Sequence, residues 1–372
     1  MKALFIFDGG LAPGYTAVAV GLTEEGEYHN WECWAARSGF RSLCSGFWDE
    51  PQFVRVVTNP IVAFELNSNG LPTEMMGRKI FFPGSDFRSE RYPEFAQPEN
   101  QKLAAQMIIK EGFEVIVFCG GDGTLRGAKA LSKYLPSHIR TGFINISADS
   151  DITHDRSVGF LSCAEQGAHI ARGLYEDAFT HQRIYFLEMM GNKSGRHALH
   201  SGAAARAHLI VLPVFDFPDE VMREIADTLR QRRHALVVVA EGYKKDYRRE
   251  QGIKLDAASF FKKELEKYDL FDTPQKRLIA EPFSRYLRGV TPLMIDCEIA
   301  HLKCQILVRA LQEGQSGQMV YYVSEHNMGL QPFSDANSDN TIEKEFVHMI
   351  DRLDIPKFRD YAFMTCSSKT PN

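Results

Sequence analysis

The chain has no C-x-x-C pair among its seven cysteines, Cys33, Cys44, Cys119, Cys163, Cys297, Cys304 and Cys366. Scattered and odd in number, they argue against structural zinc and for a reducing cytoplasm. Basic charge is not in excess. The 43 Lys and Arg against 48 Asp and Glu give a net charge of −5, so the footprint of a nucleic-acid binder is missing. No apolar run reaches the roughly eighteen residues needed to span a membrane. Met1 to Phe7 is only a short apolar strand that meets glycines at once and lacks a signal-peptide cleavage pattern. Neither a fixed-period repeat nor a low-complexity tract occurs. At 44% hydrophobic and 24% charged over 372 residues, the chain has the balance of a globular protein. Its length is too great for one small core and suits two domains.

What the sequence does hold is one abrupt contrast. The run Val115-Ile116-Val117-Phe118-Cys119 ends in Gly120-Gly121-Asp122-Gly123-Thr124. The apolar run predicts a buried parallel strand. The glycines let the backbone turn sharply and approach a ligand closely. From Leu125 to Tyr134 the spacing is helical, with Leu125, Ala128, Ala130 and Leu131 placed to pack back. A glycine turn between strand and helix leaves N–H groups pointing outward, which makes an anion site. Asp122 sits among those donors, where its carboxylate alone would repel a phosphate. A divalent cation bridging the two resolves the conflict. A turn that merely packs helix on strand is the plainer alternative; the five-residue motif after a clean strand favours phosphate.

The same pattern recurs along the chain. Leu4 to Phe7 is a strand followed by Gly9-Gly10-Leu11-Ala12-Pro13-Gly14 and a helix from Ala17. Thr141 to Ser147 is a strand that ends in Ala148-Asp149-Ser150-Asp151. Two carboxylates just past a strand's end stand where ligands bind in open α/β sheets. They suit a general base and a metal partner, and equally a helix N-cap. The strands Ile184 to Met190 and Ala235 to Ala240 end in Gly191-Asn192-Lys193 and Glu241-Gly242-Tyr243-Lys244-Lys245, each with an ordinary turn as the alternative. Helices are predicted over 99–111, 157–179, 218–233 and 293–311. Residues 53–57 and 62–66 read as an inserted hairpin, 243–272 as a charge-rich surface helix with loops, and 319–324 as a short strand before a polar loop and tail. Arg91 alone reads as a loop arginine. Arg277, Arg285 and Arg288 fall close together, as a phosphate site or a solvated face. The alternation predicts an α/β protein of two doubly wound, Rossmann-like domains with mostly parallel sheets and an active-site cleft between them. One domain would hold 1–150 plus about 288–335, the other about 151–287 plus part of the C-terminal tail.

In their order, these motifs resemble the phosphofructokinase family, enzymes that phosphorylate fructose 6-phosphate at its 1-hydroxyl. The likeness runs from about residue 3 to about residue 325 and is weak near 22–80 and 243–275. The resemblance implies a first nucleotide loop at Gly10 and a phosphate-donor arginine and aromatic at Arg91 and Tyr92. It implies nucleotide contacts at Gly120, Gly121, Gly123 and Thr124, and magnesium at Asp122. Ser147, Asp149 and Asp151 resemble the catalytic turn, with Asp149 as the base. Arg183, in His181-Gln182-Arg183, resembles the arginine that reaches the sugar phosphate from a neighbouring subunit. Met190, Gly191 and Glu241 are similar to the sugar-holding segments. Arg277, Arg285 and Arg288, with Asp296 further on, are similar to the remaining sugar-phosphate motif. ATP, Mg²⁺, fructose 6-phosphate, a homodimer or homotetramer, and a cytoplasmic location follow as expectations.

The chain also departs from the family's pattern. Leu11 replaces a polar or acidic residue, Thr16 an asparagine, and Ser150 an asparagine. Arg285 stands at a usual histidine or tyrosine, and Arg277 aligns only with two residues inserted. Asn192 replaces an arginine that would face the transferring phosphoryl group, leaving Lys193 or Arg196 as substitute cations. In the family, glycine at position 123 goes with ATP and aspartate there with pyrophosphate, whose users also tend to carry lysine where Ile146 stands. Both features point away from pyrophosphate, although Ile146 is not the ATP users' glycine either; the expectation is ATP, with a pyrophosphate-dependent enzyme as the alternative. Asn192 and Leu11 motivate a third reading, a catalytically weak sugar-phosphate or nucleotide-binding protein. A NAD kinase or lipid kinase shares the Gly-Gly-Asp-Gly-Thr loop, but the first loop, the Asp149/Asp151 turn and the arginines argue against it.

Overall fold

The computed structural model describes residues 1–45, 51–152, 154–273, 276–338 and 346–366. The chain divides into two compact units, Met1–Ser162 with Arg288–Ser338, and Cys163–Leu287 with Asp339–Asn372. Among the described residues no helix is long and apolar enough to cross a membrane.

The first unit is built on strands β1 (Lys2–Phe7), β2 (Glu32–Ala36), β3 (Phe53–Val57), β4 (Thr73–Met75), β5 (Val115–Gly120) and β6 (Arg140–Asn145). Two further strands of the same sheet come from beyond the second unit's strands in the chain. β1 lies centrally, with β2, β3 and β4 to one side and β5 and β6 to the other. β1 pairs in parallel with both β2 and β5. Ala3 to Phe7 and Val115 to Cys119 are fully buried, as strands covered on both faces must be. The order reverses between β1 and β5, which leaves a crevice outside their carboxyl ends. Both glycine turns, 9–10 and 120–123, open there.

The second unit holds β7 (Arg183–Met189), β8 (Leu209–Val211), β9 (Ala235–Ala240) and β10 (Arg277–Pro282) in the order β10-β7-β9-β8. All its pairs are parallel. Chain order reverses beside β7, so the turn after β7 also stands at a switch point. The first unit's sheet is completed by β11 (Gln318–Ser324), parallel to β6, and β12 (Asn327–Pro332), antiparallel to β11.

Several expectations are corrected. Residues 62–66 are not a strand but part of the helix Pro60–Ser68. Pro60 at its first turn and the Asn59 Oδ1, which accepts from Ile61 N at 2.9 Å, start that helix. β3 pairs in parallel with β4 across this helix, so there is no hairpin. The charge-rich stretch 243–272 includes a packed helix, Ala257–Glu266, which buries Ala257, Phe260, Phe261 and Leu265. The tail is not simply polar. Beyond β12, the helices Val347–Ile350 and Pro356–Thr365 bury Val347, Ile350, Phe358 and Ala362, pairs three or four residues apart that share a helix face. The tail's residues 339–345 and 367–372 lie outside the described residues. β10 has no forerunner in the sequence pattern, which shows only arginines there.

Candidate active site

In the first unit, β1 ends in Asp8, whose N–H donates to Cys119 O on β5 at 3.0 Å. The Asp8 carboxylate accepts from Phe40 N at 3.1 Å and, at 3.5 Å, from the Thr124 hydroxyl. Burial pushes its pKa up to about 7, against the pull of those donors. Gly120 is what lets the two loops close on each other. A Cβ there would lie 2.2 Å from Thr124 Oγ1 and 2.4 Å from Asp8 O. A Cβ on Gly10 would lie 2.6 Å from an Arg288 nitrogen and 3.5 Å from one of Arg91. The structure therefore brings Gly10, Arg91 and Arg288 together at the crevice. Arg288 also donates to Leu11 O at 3.4 Å. Ser89 donates to Gly9 O at 2.7 Å and Glu90 pairs with Arg41 at 2.6 Å, which fixes the segment that carries Arg91 and Tyr92.

Asp122 is the first residue of the helix Asp122–Leu131 and is buried. Arg126, one turn on, and the Ser338 hydroxyl both donate to its carboxylate. Gly123 is exposed, and a Cβ there would meet only Arg126, at 3.9 Å. Gly121 packs 3.3 Å from the Ser147 side chain, measured from its would-be Cβ. The catalytic-turn candidates are thereby set beside the glycine loop. Asp149 N donates to Ser147 Oγ at 3.1 Å, and Ser150 is left-handed with φ 48°. The base of this turn is clamped. Ile146 bridges Val158, Ser157 donates to Ser147 O at 2.5 Å, and the buried Asp155 accepts from Lys303 Nζ at 2.6 and 2.8 Å. Tyr322 N and Asn145 complete the Asp155 shell, at 2.8 and 2.9 Å. Asp296 is buried too, and holds Ser162 through its N–H at 2.8 Å and its hydroxyl at 2.5 Å. Its role is to fix a helix start.

In the second unit, the turns after β7 and β9 meet. Glu241 N donates to Met189 O at 2.8 Å. Met190 and Gly191 are buried, and Glu188 accepts from Ala257 N at 2.6 Å and Ser284 Oγ at 3.0 Å. Burial pushes the Glu188 pKa up. Lys245 Nζ donates to Asn192 Oδ1 at 2.7 Å. Arg183 and Arg277 are register partners at the amino ends of β7 and β10, roughly 20 Å along β7 from Met189 at the usual strand rise. Arg183 pairs with Asp177 at 3.2 Å. Of the three clustered arginines, Arg277 opens β10 and Arg285 lies in the short helical turn Ser284–Leu287. Arg277 and Arg285 belong to the second unit and Arg288 to the first.

Sequence reasoning passed over Asp8, Asp155, Lys303 and Lys245. Asp8 carried a signal, a carboxylate between a clean strand and a glycine turn. The Asp155–Lys303 pair carried none, because its members are far apart in the chain.

The phosphofructokinase family profile matches residues 2–311. An ATP-dependent 6-phosphofructokinase of Lactobacillus helveticus (strain DPC 4571) is 29% identical over 327 residues, covering 86% of this chain and 89% of that protein. Another from Lacticaseibacillus casei (strain BL23) is 30% identical over 250 residues, 65% of this chain and 70% of that protein. Among solved structures, Pichia pastoris phosphofructokinase in the T-state superposes with a TM-score of 0.70 at 23% identity, over 90% of this chain and 35% of that one. A pyrophosphate-dependent phosphofructokinase from Nitrosospira multiformis gives 0.73 at 17%, over 100% and 93%. These structural likenesses speak to the fold alone.

Proposed function

Because the chain belongs to the phosphofructokinase family, we propose that it transfers the terminal phosphoryl group of ATP to the 1-hydroxyl of fructose 6-phosphate. The products are fructose 1,6-bisphosphate and ADP. The observation that carries the donor choice is the open space at Gly123, where a side chain would meet nothing nearer than Arg126 at 3.9 Å. That space accommodates a nucleotide's α-phosphate, and the similar Lactobacillus helveticus and Lacticaseibacillus casei proteins bear the name of ATP-dependent enzymes.

In this reading the first unit is the phosphate-donor domain. Gly10, Gly120, Gly121, Gly123 and Thr124 offer backbone to the nucleotide phosphates, and Arg91 with Tyr92 flanks them. Asp122 suits a magnesium ion that arrives with the nucleotide. A single carboxylate beside phosphates is the usual protein share of such a site. Among the described residues no group of three His, Cys, Asp or Glu forms a protein cage for a metal. When bound, the ion neutralises charge on the phosphate oxygens. Arg126 and Ser338 hold the Asp122 carboxylate in its place meanwhile. Asp149 takes the proton of the attacking hydroxyl while the new P–O bond forms and the bond to the leaving ADP oxygen breaks. Asp151 and Ser147 support that turn. Met190, Gly191 and Glu241 hold the sugar, and Arg285 and Arg288 its phosphate. Arg183 and Arg277, side by side at the opposite edge of their sheet, serve a neighbouring subunit in a homo-oligomer. A cytoplasmic location goes with this reading.

A coupled turnover assay on the purified protein tests it. Turnover with ATP and Mg²⁺ and much less with pyrophosphate is expected, and Gly123→Asp should weaken ATP use. The reverse donor preference would overturn this reading of Gly123.

A further inference from the structure

The turn after β9 keeps its shape without a strand ladder. Glu241, Gly242 and Tyr243 come straight after Ala240, the last residue of β9. A Cβ on Gly242 would lie 1.7 Å from Asn192 O, so only glycine lets this turn close on the one after β7. Tyr243 is fully buried and its hydroxyl donates to Glu264 at 2.9 Å. Lys244 is left-handed, φ 46°, ψ 35°. Packed carbonyls in such a turn need donors from elsewhere.

One side chain supplies them. The short helix Lys245–Glu250 begins directly after the turn, and Arg248 is its fourth residue. Helical side chains lean toward the amino end of their helix, which carries this guanidinium back over the turn. Nη2 donates to Glu241 O at 2.7 Å and Nε to Tyr243 O at 3.1 Å. Nη1 donates to Leu255 O at 2.9 Å, which ties the turn to the segment leading into the helix Ala257–Glu266. Arg248 is buried, and the charges of Glu188, Asp256 and Glu241 act against the cost of burying its own. A planar fork with fixed donor directions can hold three carbonyls at once, which a lysine ammonium on its flexible stem does not reproduce. Arg248 lies in the stretch 243–275, where the likeness to the family is weak.

We propose that Arg248 is a positioning residue for sugar binding, which sets Glu241 in place by gripping its backbone and acts through it rather than on the substrate. The inference rests on the phosphofructokinase reading above, which gives Glu241 the sugar.

The test measures fructose 6-phosphate binding by calorimetry, with thermal melts alongside, for wild type, Arg248→Lys, Arg248→Met, Glu241→Gln and the Arg248→Lys/Glu241→Gln double variant. Arg248→Lys keeps the charge and loses the fork, so it should bind the sugar phosphate about tenfold more weakly. Arg248→Met should bind at least as weakly, and should it fail to fold, Arg248→Lys decides. In turnover assays KM for fructose 6-phosphate should rise by the same factor, while KM for ATP stays within about twofold. An arginine with a structural role alone would lower the melting temperature and the active fraction, and leave both KM values where they are. The cycle gives a sharper readout. Glu241→Gln should weaken binding about tenfold in wild type and less than about twofold in Arg248→Lys, because the glutamate is already misplaced there. Unchanged affinity in Arg248→Lys overturns the proposal. So does full additivity of the two substitutions, which would make the arginine and the glutamate independent. If wild type neither binds fructose 6-phosphate nor turns over, the kinase reading fails. Hydrogen exchange then decides for Arg248. Faster exchange of the Glu241, Tyr243 and Lys245 amides in Arg248→Lys supports its grip on the turn, and equal exchange overturns it.

Discussion

Asp149 carries the greatest demand on the proposed chemistry, because a general base must stand within hydrogen-bond reach of the proton it takes. The turn that bears it is fixed by Asp149 N donating to Ser147 Oγ, and by Ser157 donating to Ser147 O. Asparagine has nearly the same shape and cannot accept the proton. Asp149→Asn should therefore lower kcat by about 10²–10⁴-fold. Fructose 6-phosphate binding, measured by calorimetry, should survive, because arginines hold its phosphate in this reading. Full kcat in the variant would move the base assignment to Asp151. At this scale the sequence shows the chemistry that is local. Asp122, Asp149 and Gly123 follow strands within a few residues, so their place at a strand end is legible. That Arg126 and Ser338 would hold Asp122 is not, since Ser338 lies 216 residues further along the chain.

The element that most needs support is the stretch from Ser147 to Val158. Its anchor is the ion pair of Asp155 and Lys303, both fully or nearly buried, at 2.6 Å. Removing one partner of such a pair leaves an uncompensated buried charge, at roughly 3–5 kcal/mol. Lys303→Met should lose about that much stability in denaturant titrations, and adding Asp155→Leu should recover part of it. An unchanged midpoint in the single variant would show that Tyr322 N and Asn145 suffice for Asp155. Elements with clean periodicity are legible in the amino-acid pattern itself. The strands at 115–120 and 235–240 and the helix near 219–231 stand where their patterns put them. Misreadings arise where short apolar runs fit either period. Residues 62–66 are apolar enough for a strand, but Pro60 and Asn59 nucleate a helix just ahead of them. β10, with only Leu278 of its six residues buried and with Arg277 and Glu281 charged, gives no strand signal. It is a strand because β7 offers it an open edge.

Across the whole molecule, two buried groups set opposing pH dependences. Folded Asp8 keeps its proton up to about pH 7, against about 3.9 in the unfolded chain. Its contribution to stability is full at low pH and lost as pH rises through about 7. His208 is pushed down to about 4, first by burial and then by His234, Arg232 and Arg352. The unfolded chain takes that proton near pH 6.5, so His208 removes stability as pH falls from there toward 4. The two slopes oppose each other over that range. Asp8→Asn should therefore raise the denaturant midpoint at pH 8, where the buried carboxylate is charged, and change it little near pH 4. A drop at pH 8 would mean that the bonds from Phe40 and Thr124 outweigh the buried charge. The first unit's sheet is assembled from two stretches of chain separated by most of the second unit, and β6 meets its neighbour β11 through Gly142 and Gln318. On a ribosome, roughly 10 to 35 s pass between the emergence of those two strands. Through that interval β6 trails from the nascent polypeptide as a bare, apolar edge, open to any strand that drifts past. The time of greatest danger for this protein thus falls before its synthesis is finished, and its yield in a cell depends on what shields that edge until β11 arrives.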